Sequence, residues 1–234
     1  MLPALGEWWW VGFFGAAGGG RRLTVRLSLL CLAFMLLVPA AGAQRPDWRA
    51  LAARYRQEVS RNPSSVEGHF SLAVVYAHEG RLLDGWEHLK RVDRLVGGEK
   101  GRGSVARRFM GESQASLRRD PDDVFALYRL AFAAYFANRK DIALQAMQRA
   151  ASVEPKNAWT MGYVGFLYGE RQDVDRAIAW WERGVRVDPR NAVLHYMLGL
   201  AYSHKGDMKR AAYHFALAYR DRTLYEYIKG QRKL

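Results

Sequence analysis

The residues best suited to metal or acid–base chemistry in this 234-residue chain are six histidines, His69, His78, His88, His195, His204 and His214. A helix-borne metal site needs two histidines at i, i+4, so that both imidazoles leave one face near a carboxylate. No pair has that spacing. There is no G-x-S-x-G elbow, no glycine-rich dinucleotide fingerprint and no G-x-x-x-x-G-K-[ST] loop. The neighbouring acids Asp122 and Asp123 suit the start of a helix, where carboxylates meet free N–H groups. The pattern nominates no enzyme, cofactor, metal or small-molecule substrate.

The one cysteine, Cys31, lies in the run LSLLCLAFMLLVPA, which follows Arg21, Arg22 and Arg26. Basic residues, an apolar core too short for a comfortable membrane span, Pro39, and the small residues Ala41-Gly42-Ala43 make a secretory signal pattern. Residues 1–43 are therefore read as a leader, cleaved before Gln44 or kept as a signal anchor. Either form places the rest in the periplasm or outside the cell. Cys31 follows Leu30, which does not suit lipidation. Residues 1–20, an unusual prefix to such a signal, are either a misassigned start or a long leader.

Removing the leader deletes three bases and one acid, so the net charge of +13 becomes +11. It also leaves no cysteine, which excludes disulfides, thiolate metal sites and a cysteine nucleophile. Such a charge can attract an anionic surface, but spread over many helix faces it mainly keeps a protein soluble. Half of the residues are apolar and helix formers dominate, so the predicted class is all-α.

The elements are set out by a ruler. VEPKNAW at Val153 recurs as VDPRNAV at Val187, 34 residues later. Units are predicted at 124–157, 158–191 and 192–225. Position eight is small in each (Ala131, Gly165, Gly199), as are position twenty (Ala143, Ala177, Ala211) and position twenty-seven (Ala150, Gly184, Ala218). Position twenty-four is large: Met147, Trp181 and Phe215. Each unit reads as two short antiparallel helices, joined to the next by a turn in which Pro stops one helix and Asn caps another. Asn138 and Gly206 suit the left-handed residue that ends the first helix, whereas Gln172 predicts a differently shaped turn.

A period of 34 with this spacing, together with Tyr168 and Tyr202 at position eleven, resembles the tetratricopeptide repeat family. Ala134 departs from the pattern at that position in the first unit. A weaker unit begins at Val66 within an N-terminal segment 44–97, preceded by a lone helix bearing Leu51, Tyr55 and Val59 on one face. Residues 98–123 are read as a flexible basic linker, GGEKGRG, and an extra helix from about 104 to 118. Residues 226–234 read as a basic tail. The resemblance implies a right-handed α-solenoid whose first helices line a groove for another protein or peptide.

In the family the groove positions are usually two, five, nine, twelve and thirteen. Here they include Phe125, Tyr128, Phe132, Tyr135 and Phe136, then Trp159, Phe166 and Glu170, then Val193, Tyr196, Leu200 and His204, with Arg129 in adjacent register. Eight of the fifteen groove positions are aromatic, against about two expected by composition, so an aromatic peptide groove is predicted. Gly162 and Gly169 would leave backbone accessible beside Trp159 and Phe166. Helix VFALYRLAFAAYFA is apolar nearly all round, so the first unit's rings are equally read as core beneath the 104–118 helix or the N-terminal helices. Trp159, Phe166 and Tyr196 are read as accessible, and His78 and His204 as solvated. The lysine and asparagine of a carboxyl-terminal peptide clamp are replaced by Tyr128 and Phe132.

The functional expectation is an exported, non-catalytic peptide-binding scaffold. The alternative is an anionic-polymer, membrane-headgroup or nucleic-acid binder using Arg107, Arg108, Arg118, Arg119 and the tail from Lys229 to Lys233. For the leader, sequencing the amino terminus of the exported protein is expected to read from Gln44. An intact Met1 in the cytoplasm would refute it.

Overall fold

A computed structural model describes residues 46–231. The expected signal, its cleavage site and the end of the basic tail lie outside the described residues. Among the described residues there are eleven helices and no strand: α1 Trp48–Arg61, α2 Val66–His78, α3 Leu82–Val96, α4 Glu99–Leu117, α5 Val124–Phe136, α6 Lys140–Val153, α7 Ala158–Gly169, α8 Val174–Val187, α9 Ala192–His204, α10 Met208–Ala218 and α11 Arg222–Gln231. The architecture is an all-α solenoid of helix pairs.

Helix starts follow from side-chain caps. Asp47, Ser65, Asp123, Asn157 and Asn191 each accept from an N–H in the first turn of the following helix. At the repeat joint, Leu194 N–H donates to Asn191 Oδ1 at 3.1 Å, which satisfies one of the donors a helix start leaves free. Helices α5, α7 and α9 begin at Val124, Ala158 and Ala192, in step with the 34-residue period.

The pairs α2/α3, α5/α6, α7/α8 and α9/α10 pack as hairpins, and α6 on α7 and α8 on α9 join successive pairs. A small residue facing a large one sets the closeness within a pair. A Cβ added to Gly165 would lie 2.5 Å from Trp181 Nε1, and one added to Gly199 would lie 2.7 Å from Phe215. Positions eight and twenty-four therefore interlock. Trp181 is fully buried and donates its indole N–H to Gly162 O at 3.1 Å, which removes the cost of burying that polar group.

Three expectations are corrected. First, GGEKGRG is not a flexible linker: only Gly97 and Gly98 leave the helical path, at φ +68° and +100°, and α4 runs on from Glu99. A carboxylate in the first turn of α4 favours that start. The extra helix packs along α5, where the second helix of a preceding unit would lie. Second, the basic tail begins inside α11, whose Ile228 is buried. Third, the turn at Gln172 has the same shape as its counterparts: φ is +61° there, +58° at Asn138, +77° at Gly206 and +76° at Gly80. Two backbone bonds, Gln172 N–H to Gly169 O and Asp173 N–H to Tyr168 O, hold the glutamine in a left-handed conformation it does not favour.

That strain gives a test. Gln172→Gly is expected to stabilise the protein by about 0.5–1 kcal/mol, the left-handed penalty less the added freedom of the unfolded chain. Thermal unfolding should show Tm rising by about 2 °C, and an unchanged or lower Tm would refute the reading.

Candidate functional site

The first-helix face of the three units is where the groove residues were expected, and the chain covers part of it with itself. Helix α2 packs on α5 and reaches α7. Trp48, at the start of α1, stacks on His78 with ring centroids 3.6 Å apart and meets Phe125 and Tyr128 edge-on. His78 Nε2 lies 2.7 Å from Glu154 Oε2, and Tyr163 donates its hydroxyl to Ala77 O at 3.2 Å. The tight turn after α2 sits directly on Trp159: a Cβ at Gly80 would lie 2.0 Å from its indole nitrogen. His78 is therefore a partnered residue inside an interdomain-like contact, not a solvated one.

Tyr128 is fully buried and shares a 2.6 Å hydrogen bond with Thr160 Oγ1, itself fully buried. Burial pushes the Tyr128 phenol well above its ordinary range, so it stays a neutral partner. Phe125 is half-buried against Trp48 and Tyr55. Phe136 meets Phe70 at 6.5 Å. Of the two readings held for the first unit, the core reading fits Tyr128, and the cover comes from α1 and α2.

Arg129 is also withdrawn from the face. Its guanidinium donates to both Glu67 oxygens, at 2.8 and 3.0 Å, and to Glu112 at 2.5 Å, while lying over the Phe109 ring at 4.6 Å. Arg108 reaches the same Glu67 at 3.2 Å. Burial raises the Glu67 carboxyl above its usual range, and the charge of Arg129 opposes that rise. Helices α2, α4 and α5 are thereby tied by one ionic cluster. Of the four arginines in the polyanion reading, Arg108 is committed to this cluster, while Arg107, Arg118 and Arg119 are exposed.

Further along, Tyr196 was expected to be accessible and is instead buried, with its ring 5.6 Å from Phe215 and 6.3 Å from Tyr219. Glu170 accepts from Lys140 Nζ at 2.7 Å and from the Tyr135 hydroxyl at 3.5 Å, which joins two units. Desolvation and that carboxylate raise the Tyr135 phenol. The glycines do not bare backbone: Gly169 is buried, and a Cβ at Gly162 would come within 2.8 Å of Leu194 Cδ2. The smallness of Gly162 serves packing between units.

What remains on the face is a stripe. Phe132, Phe166 and Leu200, position nine of successive units, are all half-buried. Tyr135 and Val193 flank them half-buried, and His204 is exposed. Trp159 is half-buried beneath the Gly80 turn. Next to His204 is an open hollow of about 450 Å³ lined by Arg171, Gln172, Asp173, Val174, Asp175 and Lys205. Its charges are internally matched, since Lys205 pairs with Asp175 and Arg171 with Asp141.

Residues 165–224 match the tetratricopeptide repeat family model. This stretch carries tetratricopeptide repeats. No curated protein matches the chain. Among solved structures, the chain is similar to a crystal structure of MamA at 23% identity, with 80% of this chain and 92% of that one covered and a TM-score of 0.42. Similarity to MamA from Desulfovibrio magneticus RS-1 is 19% identity over 80% of this chain and 98% of that one, with a TM-score of 0.46. Among the described residues of this tetratricopeptide-repeat chain, no group of three or more His, Cys, Asp or Glu could hold a metal ion, and no helix is long and apolar enough to cross a membrane.

One arrangement escaped the search for local histidine motifs. His69 faces His88, and His195 faces His214, each across a helix pair. The signal was present: 69, 78, 88 and 195, 204, 214 recur at the same intervals, which becomes visible only once histidines are numbered by repeat position.

The Tyr128–Thr160 bond tests how much the covered face contributes. Tyr128→Phe leaves the Thr160 hydroxyl buried without that partner and is expected to cost about 1–2 kcal/mol in denaturant unfolding. A loss near zero would show that the pair is not buried in solution.

Proposed function

We propose that this tetratricopeptide-repeat chain is an exported, non-catalytic scaffold of the cell envelope that holds another protein's extended segment or short helix along its first-helix face. The observation that carries the reading is the stripe of Phe132, Phe166 and Leu200. Three apolar side chains keep the same register on successive units and stay half-buried, with Phe132 edge-on to Tyr163 and Phe166 edge-on to Tyr135. Side chains at one repeat interval suit a ligand laid across the units, and aromatic anchors lose little conformational freedom when they bind. The contact residues are Phe132, Tyr135, Phe166, Val193, Leu200 and His204. The rings of Tyr128 and Tyr196 leave the set because they are spent on packing.

The test is site-specific photo-crosslinking in envelope extract. A photoreactive phenylalanine analogue placed at Phe166 or at Leu200 is expected to capture a protein partner, and the same analogue at Ala179, exposed on α8, is not. Capture should persist at about 0.5 M salt, where exposed charges are screened beyond a few ångströms. Capture from position 179 alone, or binding that vanishes with salt, would overturn the groove reading, and the latter would favour a polyanion.

A further inference from the structure

The two facing histidine pairs have no part in that scaffold function. His69 Nδ1 lies 2.7 Å from His88 Nδ1, and His195 Nδ1 lies 2.9 Å from His214 Nδ1. In each pair the other nitrogen of the first histidine, Nε2, is 3.1 Å from a proline carbonyl in the preceding turn, Pro63 O or Pro189 O. A carbonyl oxygen only accepts, so that Nε2 carries the hydrogen. Neutral His69 and His195 therefore present a bare Nδ1, and the facing Nδ1 of His88 or His214 must donate to it.

This geometry counts protons. One extra proton can go to the far nitrogen of His88 or His214 and leave the facing bond intact. A second places hydrogens on both facing nitrogens, and two N–H groups cannot stay in contact at these distances. Burial works in the same direction: it holds His88 and His214 below the ordinary histidine range, with the facing imidazole as the next cause. Around His88, Asp84 and Glu87 favour the charged form, Arg81 opposes it, the Tyr76 ring lies alongside, and Arg91 shares Pro63 O at 3.5 Å. Around His214, Glu182 favours it and Arg210 opposes it. The Tyr202 ring stacks on the imidazole while its hydroxyl bonds to both of those groups, and Tyr213 meets it edge-on.

We propose that the two pairs are acid-sensitive latches on the first and last helix pairs of the solenoid. When both members are protonated, each pair releases its turn from the second helix and loosens its unit. The two middle units have Leu127 with Ala146 and Met161 with Trp180 at the same positions, so they have nothing to titrate there. The sign follows from linkage. The unfolded chain takes up protons near pH 6.5 at positions 88 and 214, where the folded imidazoles resist them, so the stabilisation is complete above that range and is lost as pH falls through it. Because α2 and its following turn cover Tyr128 and Trp159, loosening the first unit also uncovers those rings.

Hydrogen exchange of the full chain, corrected for intrinsic rates, tests this at about pH 7.5 and about pH 5.5. Protection in α2–α3 and α9–α10 is expected to fall on the order of tenfold more than in α5–α8. The double variant His88→Asn with His214→Asn keeps a donor facing each remaining histidine but cannot protonate it, and should lose that difference. Imidazole nitrogen shifts across a pH titration of the unsubstituted protein supply a readout that does not depend on the variant folding. Uniform loss of protection across all units, or His88 and His214 titrating in the ordinary peptide range, would overturn the proposal.

Discussion

A large ring set against a missing side chain determines the spacing of this solenoid. The indole of Trp181 occupies the space where Gly165 would carry a Cβ, and Phe215 does the same opposite Gly199. A helix pair in this fold can bury only one side of itself and must find the rest of its core in its neighbours. Interlocking at positions eight and twenty-four sets the distance within the pair, and the capped turns set where the next pair begins. The register of every exposed side chain follows from those two constraints.

The same constraint explains why an aromatic-rich face is only partly a surface. The N-terminal pair lacks a unit of its own kind on the C-terminal side in sequence, because α4 is inserted there. Helix α4 lies on α5, held by Phe109 beneath Arg129 and by the Glu67 cluster, so α2 is brought against α5 and α7. The contact uses Trp48 on His78, His78 on Glu154 and the glycine turn on Trp159. Aromatic side chains that a regular array would leave on the first-helix face become packing material in this one. The position-nine stripe stays half-buried, with Phe132 edge-on to Tyr163 and Phe166 edge-on to Tyr135.

The histidines show how a repeat can carry a polar device without a site. In the first and last units an imidazole joins the turn carbonyl to the second helix, where the middle units use apolar contacts. Burying such a network is tolerable only while each nitrogen has its complement, which makes it sensitive to a change in proton number that leucine or methionine would not notice. Its two copies frame the array.

Period, helix class, caps and the small–large alternation are local in origin, and the sequence by itself determined them. Pro189 and Asn191 act on their own turn, and Gly165 and Trp181 lie sixteen residues apart in one hairpin. The shape of the Gln172 turn was decided by its backbone hydrogen bonds against the residue's own preference, while the helical segment Glu99 to Gly103 is set against α3, with Arg102 paired to Asp93 and Gly101 close to Val96. Which aromatic residues are surface depended on contacts between residues far apart along the chain, such as Gly80 with Trp159 and Ala77 with Tyr163. Periodicity assigns a residue to a face of its own helix. Only the tertiary structure decides whether another part of the chain already covers that face, because the insertion that redirects α2 carries no trace of its destination in the residues it covers.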